Sequence, residues 1–223
     1  MQKNEGLTNQ VYEIIKKKLI SCEYKPNTML NETQLSNEMG YSRTPIREAI
    51  IKLAGEGFLQ VIPKKGIYVT AITVNEIMQV FQTRREIEPI ALKMGINNLD
   101  EDVIRDFKNR FADDAPNVLD GYKLDTAMHM YLVESCRNLF IINMMHSVFD
   151  NNTRIIITSK ENQLHVNESR KEHLEILNDL LDRNYDQACA KLATHIDHCR
   201  SAALDSFYST NAEFTQKYRQ YLE

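Results

Sequence analysis

Only one stretch of this chain alternates as a paired β-ribbon does, and it lies near the front. Leu59-Gln60-Val61-Ile62 reads as a strand, Pro63-Lys64-Lys65-Gly66 as a turn and Ile67-Tyr68-Val69-Thr70 as the returning strand. From Val74 onward no convincing second strand pair is found. Seven glycines and five prolines in 223 residues are too few for a sandwich built on tight turns. The chain is therefore expected to be mainly α-helical, with one small ribbon in its first third.

The segments before the ribbon have helical spacing. Over 7–20, Leu7, Val11, Ile14, Ile15 and Leu19 recur on one face, and Lys16, Lys17 and Lys18 form a solvated edge or a phosphate contact. After a turn at Tyr24-Lys25-Pro26-Asn27, Asn31 opens a short helix with Gln34 at the capping-box position, and Gly40 suits its end. A third helix starts near Ser42-Arg43-Thr44-Pro45, capped by Ser42 or Thr44, with Ile46, Ala49, Ile50 and Leu53 inward. Three helices and then a ribbon is the order of a winged helix-turn-helix. Behind it, helices are expected at about 75–96, 101–113, 118–136, 139–159, 168–183 and 186–208. They are broken at Asn97-Asn98, Ala115-Pro116-Asn117, Asn138, 160–167 and Arg183-Asn184-Tyr185. The expected architecture is a DNA-binding winged helix-turn-helix over 1–72, then an all-helical antiparallel bundle over 73–223, joined near Ile72-Thr73.

Charge divides the same way. Residues 1–70 carry ten Lys and Arg against seven Asp and Glu, and the rest carries 17 against 24, for a net −4. A mildly basic front and an acidic back suggest that only the front meets a polyanion. The composition, 43% hydrophobic and 26% charged, is that of a chain able to bury a core. No apolar run approaches the ~20 residues of a membrane span, and the first residues lack the apolar stretch of a signal peptide. Cys22, Cys136, Cys189 and Cys199 form no CxxC pair, so reduced thiols and a cytoplasmic location are expected.

The third helix can bring the ends of its first side chains to base edges in a major groove. Arg43 and Arg47, four apart, share a face there, and an arginine fork matches O6 and N7 of guanine. Lys64-Lys65-Gly66 can follow a phosphate backbone, with glycine allowing close approach. Taken singly, each of these residues is equally a surface charge or a hairpin turn. Together, Leu30-Asn31-Glu32-Thr33-Gln34-Leu35, Tyr41-Ser42-Arg43-Thr44-Pro45-Ile46-Arg47-Glu48-Ala49-Ile50, Leu53, Glu56-Gly57-Phe58-Leu59 and Gly66 resemble the N-terminal domain of the GntR superfamily of bacterial regulators. The resemblance implies DNA contacts from Arg43, Thr44 and Arg47, with Gly66 at the wing tip. Thr33 stands where many members carry an arginine, so one contact or the operator differs there.

In the back half, Asp125 and His129 are i and i+4 on a helix whose face continues through Leu132 and Cys136. An inward carboxylate and imidazole need partners. His173 and His195 are 22 residues apart about Asn184, the centre of the last break. In an antiparallel hairpin each stands 11 residues from the bend, at the same height of roughly 16 Å. With Asp125 and His129 they make a three-His, one-Asp set of metal-binding type. Any one of these histidines alone is as well explained as a structural or exposed residue. His198 is the competing ligand, but it diverges from His195 by about 60° and has no matched height. His146 and His165 read as surface residues. On the helix at 75–96, Ile77, Val80, Phe81, Ile87, Ala91 and Met94 face inward. Arg84 and Glu88 fall within that stripe, as an ion pair, as an arginine that snorkels outward, or as a fork that clamps a carboxylate ligand.

This half resembles the FCD ligand-binding domain of the FadR branch, on Arg84-x-x-Ile87-Glu88, Asp125-x-x-x-His129, Glu172-His173-x-x-Ile176 and His195-Ile196. The resemblance implies a divalent ion at Asp125, His129, His173 and His195, with the arginine lining an effector cavity. Met128 replaces the usual aromatic before the first histidine. The resulting expectation is a homodimeric, ligand-responsive transcription regulator that is not an enzyme. It would bind a palindromic double-stranded DNA operator and a small organic acid effector at a metal, zinc first, with nickel or another transition metal as alternatives. A metal-responsive regulator with the ion as signal, or a metal-dependent hydrolase, are the rival expectations.

Overall fold

The computed structural model describes residues 2–113, 118–159 and 163–219, with side chains over 6–113, 120–159 and 168–209. It divides into two units, Met1–Thr73 and Val74–Glu223. The expected break at Ala115-Pro116-Asn117 and the side chain of His165 lie outside the described residues.

The first unit runs α1 (Gln2–Ile20), β1 (Met29–Leu30), α2 (Glu32–Met39), α3 (Arg43–Gly55), β2 (Leu59–Ile62) and β3 (Gly66–Val69). The Asn31 side chain accepts from the backbone N–H of Thr33 and Gln34, which caps α2, and Gly40 closes it at φ 73°. Ser42 is the residue before α3 but makes no side-chain cap bond. Pro45 falls in the first turn of α3, where its missing N–H has no helical acceptor to lose. Ile46, Ala49, Ile50 and Leu53 turn inward onto Val11, Ile15 and Leu19 of α1 and onto Leu35, Phe58 and Val69. Leu7, expected in this stripe, is exposed, and Tyr12 is buried in its place with its hydroxyl donating to Glu56 at 2.8 Å. The sheet has three strands rather than two, in the order β1-β3-β2, all antiparallel. Two-residue β1 was missed because so short a run carries no readable alternation.

The second unit is helical throughout its described residues: α4 (Val74–Gly95), a 3₁₀ turn (Ile96–Asn98), α5 (Glu101–Ala112), α6 (Val118–Glu134), α7 (Leu139–Thr158), α8 (Gln163–Leu181) and α9 (Tyr185–Arg219). α8 begins within the expected break at 160–167, and α9 runs on beyond 208. The central helix α4 packs against α6, α7 and α9, and α8 pairs with α9 across the turn at Asp182-Arg183-Asn184. Met94 corrects the expected inner face of α4: it is exposed, and Leu92 and Gly95 are buried instead. At Gly95 a Cβ would lie 1.9 Å from Ser135 Oγ and 2.5 Å from the Ser135 carbonyl carbon. Glycine is thus what lets the end of α4 touch the end of α6, the helix that carries Asp125 and His129. No described helix is long and apolar enough to cross a membrane.

Candidate metal centre and nucleic-acid interface

Three helices bring four side chains to one point. Asp125 and His129 stand one turn apart on α6, His173 comes from α8 and His195 from α9. Their donor atoms all lie within 4.8 Å of one another. The Nε2 atoms of the three imidazoles form a near-equilateral triangle with sides of 3.3, 3.2 and 3.1 Å. Asp125 Oδ1 is 3.1 Å from His173 Nε2 and 3.8 Å from His129 Nε2. The hairpin of α8 and α9 is what sets His173 and His195 at equal height, as their equal distance from the bend requires.

The surroundings fix which face of each ring looks inward. A carboxylate can only accept, so His129 Nδ1–H donates to Glu88 Oε2 at 2.5 Å and His195 Nδ1–H to Glu172 Oε2 at 2.7 Å. Both rings then present bare Nε2 lone pairs to each other at 3.2 Å. His173 Nδ1 is buried with no hydrogen-bond partner, and its ring packs on Phe111 at 4.6 Å between centroids. Facing lone pairs repel unless a cation lies among them. A tetrahedral ion bound to nitrogen at about 2.0–2.1 Å sets adjacent nitrogens roughly 3.3 Å apart, which the observed triangle fits.

Charge follows the same pattern. Burial and the neighbouring His173 and His129 push His195 down to about 3, and burial also lowers His173, so neutral imidazoles are favoured. For Asp125 burial opposes ionisation, but His129, His173 and Arg84 outweigh it and hold the carboxyl far below its usual range. Glu88, resisted by burial but facing Arg84 and His129, is drawn down to about 2.

A cavity of about 580 Å³ opens beside the cluster, lined in part by Phe81, Arg84, Tyr122, Asp125, His173 and Cys199. Arg84 is 1% exposed. Its Nε donates to Glu88 Oε1 at 2.6 Å and its Nη1 to Asn152 Oδ1 at 3.0 Å, with the guanidinium over the Phe149 ring. Of the readings left open for Arg84, the ion pair with Glu88 is the one observed; the side chain does not snorkel outward, and it also lines the cavity. Its Nη2 and the Tyr122 hydroxyl are buried without hydrogen-bond partners.

His198 and His146 are not among the four clustered side chains. The His198 side chain is 61% exposed and bonds to Glu172, and His146 is exposed beside Glu134. The sequence marks Glu172 only as part of a motif, without a role, and does not single out Asn152, Tyr122 or Cys199 for this site. Cys199 Sγ is 3.5 Å from His195 Nε2, a contact that its i+4 spacing could have revealed. For Asn152 and Tyr122 no local pattern exists.

In the first unit Arg43, Thr44 and Arg47 are exposed on the first turns of α3. Arg47 Nε donates to Glu32 Oε2 at 2.7 Å. Lys64 and Lys65 are exposed in the turn between β2 and β3, with Lys64 at φ 62° and Gly66 at φ 127°. Gly66 is required by that backbone conformation, whatever it approaches.

Residues 7–69 match the model of bacterial regulatory proteins of the gntR family, and residues 79–198 match the FCD domain. YdhC of Bacillus subtilis, described as an uncharacterised HTH-type transcriptional regulator, is 25% identical over 195 residues, 85% of this chain and 87% of that one. The Nta operon transcriptional regulator of Aminobacter aminovorans is 26% identical over 212 residues, 90% of this chain and 99% of that one. The solved structure of E. coli McbR/YncC has the same fold, with a TM-score of 0.76 at 17% identity over 90% of this chain and 98% of that one. The metal-free FCD domain of TM0439 matches with a TM-score of 0.56 at 17% identity, over 62% of this chain and 99% of that one. A ribbon-bearing helical head, a helical second unit and family matches over both make this chain a member of the GntR family with an FCD domain, a DNA-binding transcription regulator rather than an enzyme.

Proposed function

We propose that this regulator is governed by a small carboxylate bound beside a divalent metal in its second unit. Asp125, His129, His173 and His195 would hold the ion, and three imidazoles with one carboxylate suit zinc, nickel or a related metal. When bound, the ion supplies a Lewis-acidic positive charge at the floor of the cavity. Arg84 holds a second positive charge there, with Nη2 as its open donor, and Tyr122 adds a hydroxyl. The carrying observation is the triangle of Nε2 atoms, two of them turned inward by carboxylates on Nδ1. The orphaned donors of Arg84 and Tyr122 favour an organic anion over the ion alone as the signal, because ion binding leaves both unsatisfied. A cavity of about 580 Å³ lies within the usual range for a small ligand.

In the same reading, Arg43, Thr44 and Arg47 contact the major groove, and Lys64, Lys65 and Gly66 follow the sugar-phosphate backbone. Two copies of the chain would read a palindromic operator. The effector alters DNA affinity by preferring one conformation of the dimer over another. Native mass spectrometry of purified protein before and after mild acid tests the metal part. One ion per chain in wild type, absent after acid and absent in the His173→Ala/His195→Ala variant, is expected. Full occupancy in that variant would refute the ligand set.

A further inference from the structure

Glu88 touches both halves of this site, and each of its oxygens serves a different one. It is fully buried on α4. Oε1 accepts from Arg84 Nε at 2.6 Å and Oε2 accepts from His129 Nδ1 at 2.5 Å. Arg84 lines the cavity, and its Nη2 is buried without a hydrogen-bond partner. Beyond His129 lie His173 and His195, 3.3 and 3.2 Å from its Nε2. A chain of three side chains thus runs from the cavity wall to the imidazole triangle, and Glu88 is its middle member. Phe149 lies near both ends, with its ring 4.7 Å from the Arg84 guanidinium and 6.1 Å from the His129 ring.

We infer that Glu88 is a positioning residue that couples the cationic fork of the cavity to the metal-binding nitrogen of His129, so that events at either one change affinity at the other. The inference rests on the metal and effector reading above and adds how the two ligands sense each other. A carboxylate on Nδ1 fixes the imidazole tautomer and makes Nε2 a better donor. Here that carboxylate is shared with a guanidinium, which draws off part of its charge. An anion on Nη2 competes for the guanidinium and leaves more of the carboxylate to His129. Among side chains this deeply buried such changes are felt strongly. Linkage makes the effect reciprocal: metal on His129 also changes affinity for the anion.

One competing route has to be separated. The Arg84 charge also acts directly on Asp125 through space. A double-mutant cycle on zinc affinity distinguishes the two, with affinity read by competition against a chromophoric chelator. Glu88→Gln keeps the shape of the side chain and removes its charge, and is expected to weaken zinc binding about 10–100-fold. Arg84→Gln releases the carboxylate and is expected to tighten it. With Glu88→Gln in place, the tightening from Arg84→Gln should largely vanish. If the two effects instead multiply independently within about twofold, Arg84 acts through Asp125 and the coupling is overturned. Cobalt(II) absorption provides a second readout. Its ligand-field bands should shift with Arg84→Gln in the wild-type background and stay put in the Glu88→Gln background. Bands that shift equally in both would also overturn it. If loss of the buried guanidinium unfolds the chain, Arg84→Lys keeps the charge, gives up the Nε bond and closes the same cycle. A wild-type chain that takes up no zinc removes the metal reading and this inference together. Zinc uptake with an additive cycle removes the inference alone.

Discussion

At the scale of single residues, the two ends of the chain are built on opposite terms. The His/Asp cluster is buried and its members pair with one another, so removal of one leaves others unsatisfied. His173→Ala is expected to abolish stoichiometric zinc binding, measured by metal analysis of the purified variant. The residues proposed to contact DNA are exposed and individually cheap to alter. Arg47 is 60% exposed and its bond to Glu32 is a surface ion pair, worth about 0–1 kcal/mol, which a guanine edge can replace. Arg47→Ala is expected to weaken specific operator binding by about 1–3 kcal/mol in a titration, with little effect on random DNA. Lys64→Ala is expected to weaken all sequences alike and to lower the slope of log affinity against log salt by about one.

At the scale of elements, the decisive feature is how closely α4 and α6 approach. α4 carries Arg84 and Glu88, α6 carries Asp125 and His129, and the Glu88–His129 bond spans the two. Gly95 permits that approach, because a methyl group there would meet backbone atoms of Ser135 and Cys136 at 2.5 and 2.7 Å. Gly95→Ala is expected to destabilise the protein by about 1–3 kcal/mol despite the better helix propensity of alanine. A lowered urea midpoint at unchanged slope would show it, and an unchanged midpoint would mean that the helices part without cost. Element types were legible in the sequence because apolar spacing, Asn31, Gly40 and Asn138 mark local hydrogen-bonding needs that any tertiary setting shares. Ends were less so: Leu7 and Met94 obey the helical period and still face solvent, because the neighbour that would cover them is not there among the described residues.

At the scale of the whole molecule, metal and fold are linked by mass action. Three separate helices, α6, α8 and α9, are tied by one ion in the proposed reading, and no such site exists in an unfolded chain. Saturating zinc at about 1,000 times its dissociation constant is expected to add roughly 4 kcal/mol of stability, lost on chelation. Thermal unfolding with and without a chelator measures it, and identical curves would separate the cluster from stability. Two-fold pairing of chains predicts protection of two half-sites whose centres lie one helical turn of DNA apart, roughly 34–36 Å, or a multiple of it. Hydroxyl-radical footprinting on the operator would show this as paired protected patches.

The amino-acid sequence by itself determined the elements and much of the candidate site. Its information lay in spacing: Asp125 and His129, four positions apart, share a helix face, and equal distances from Asn184 match the heights of His173 and His195. Both follow from helix geometry alone. Tertiary packing set α6 against the α8–α9 hairpin at that height, turned the second oxygen of Glu88 to His129, bonded Asn152 to Arg84 and put Tyr122 on the cavity wall. The Glu88–His129 and Arg84–Asn152 contacts join residues 41 and 68 positions apart. No local periodicity encodes them; they are set by how side chains of particular volume let helices pack.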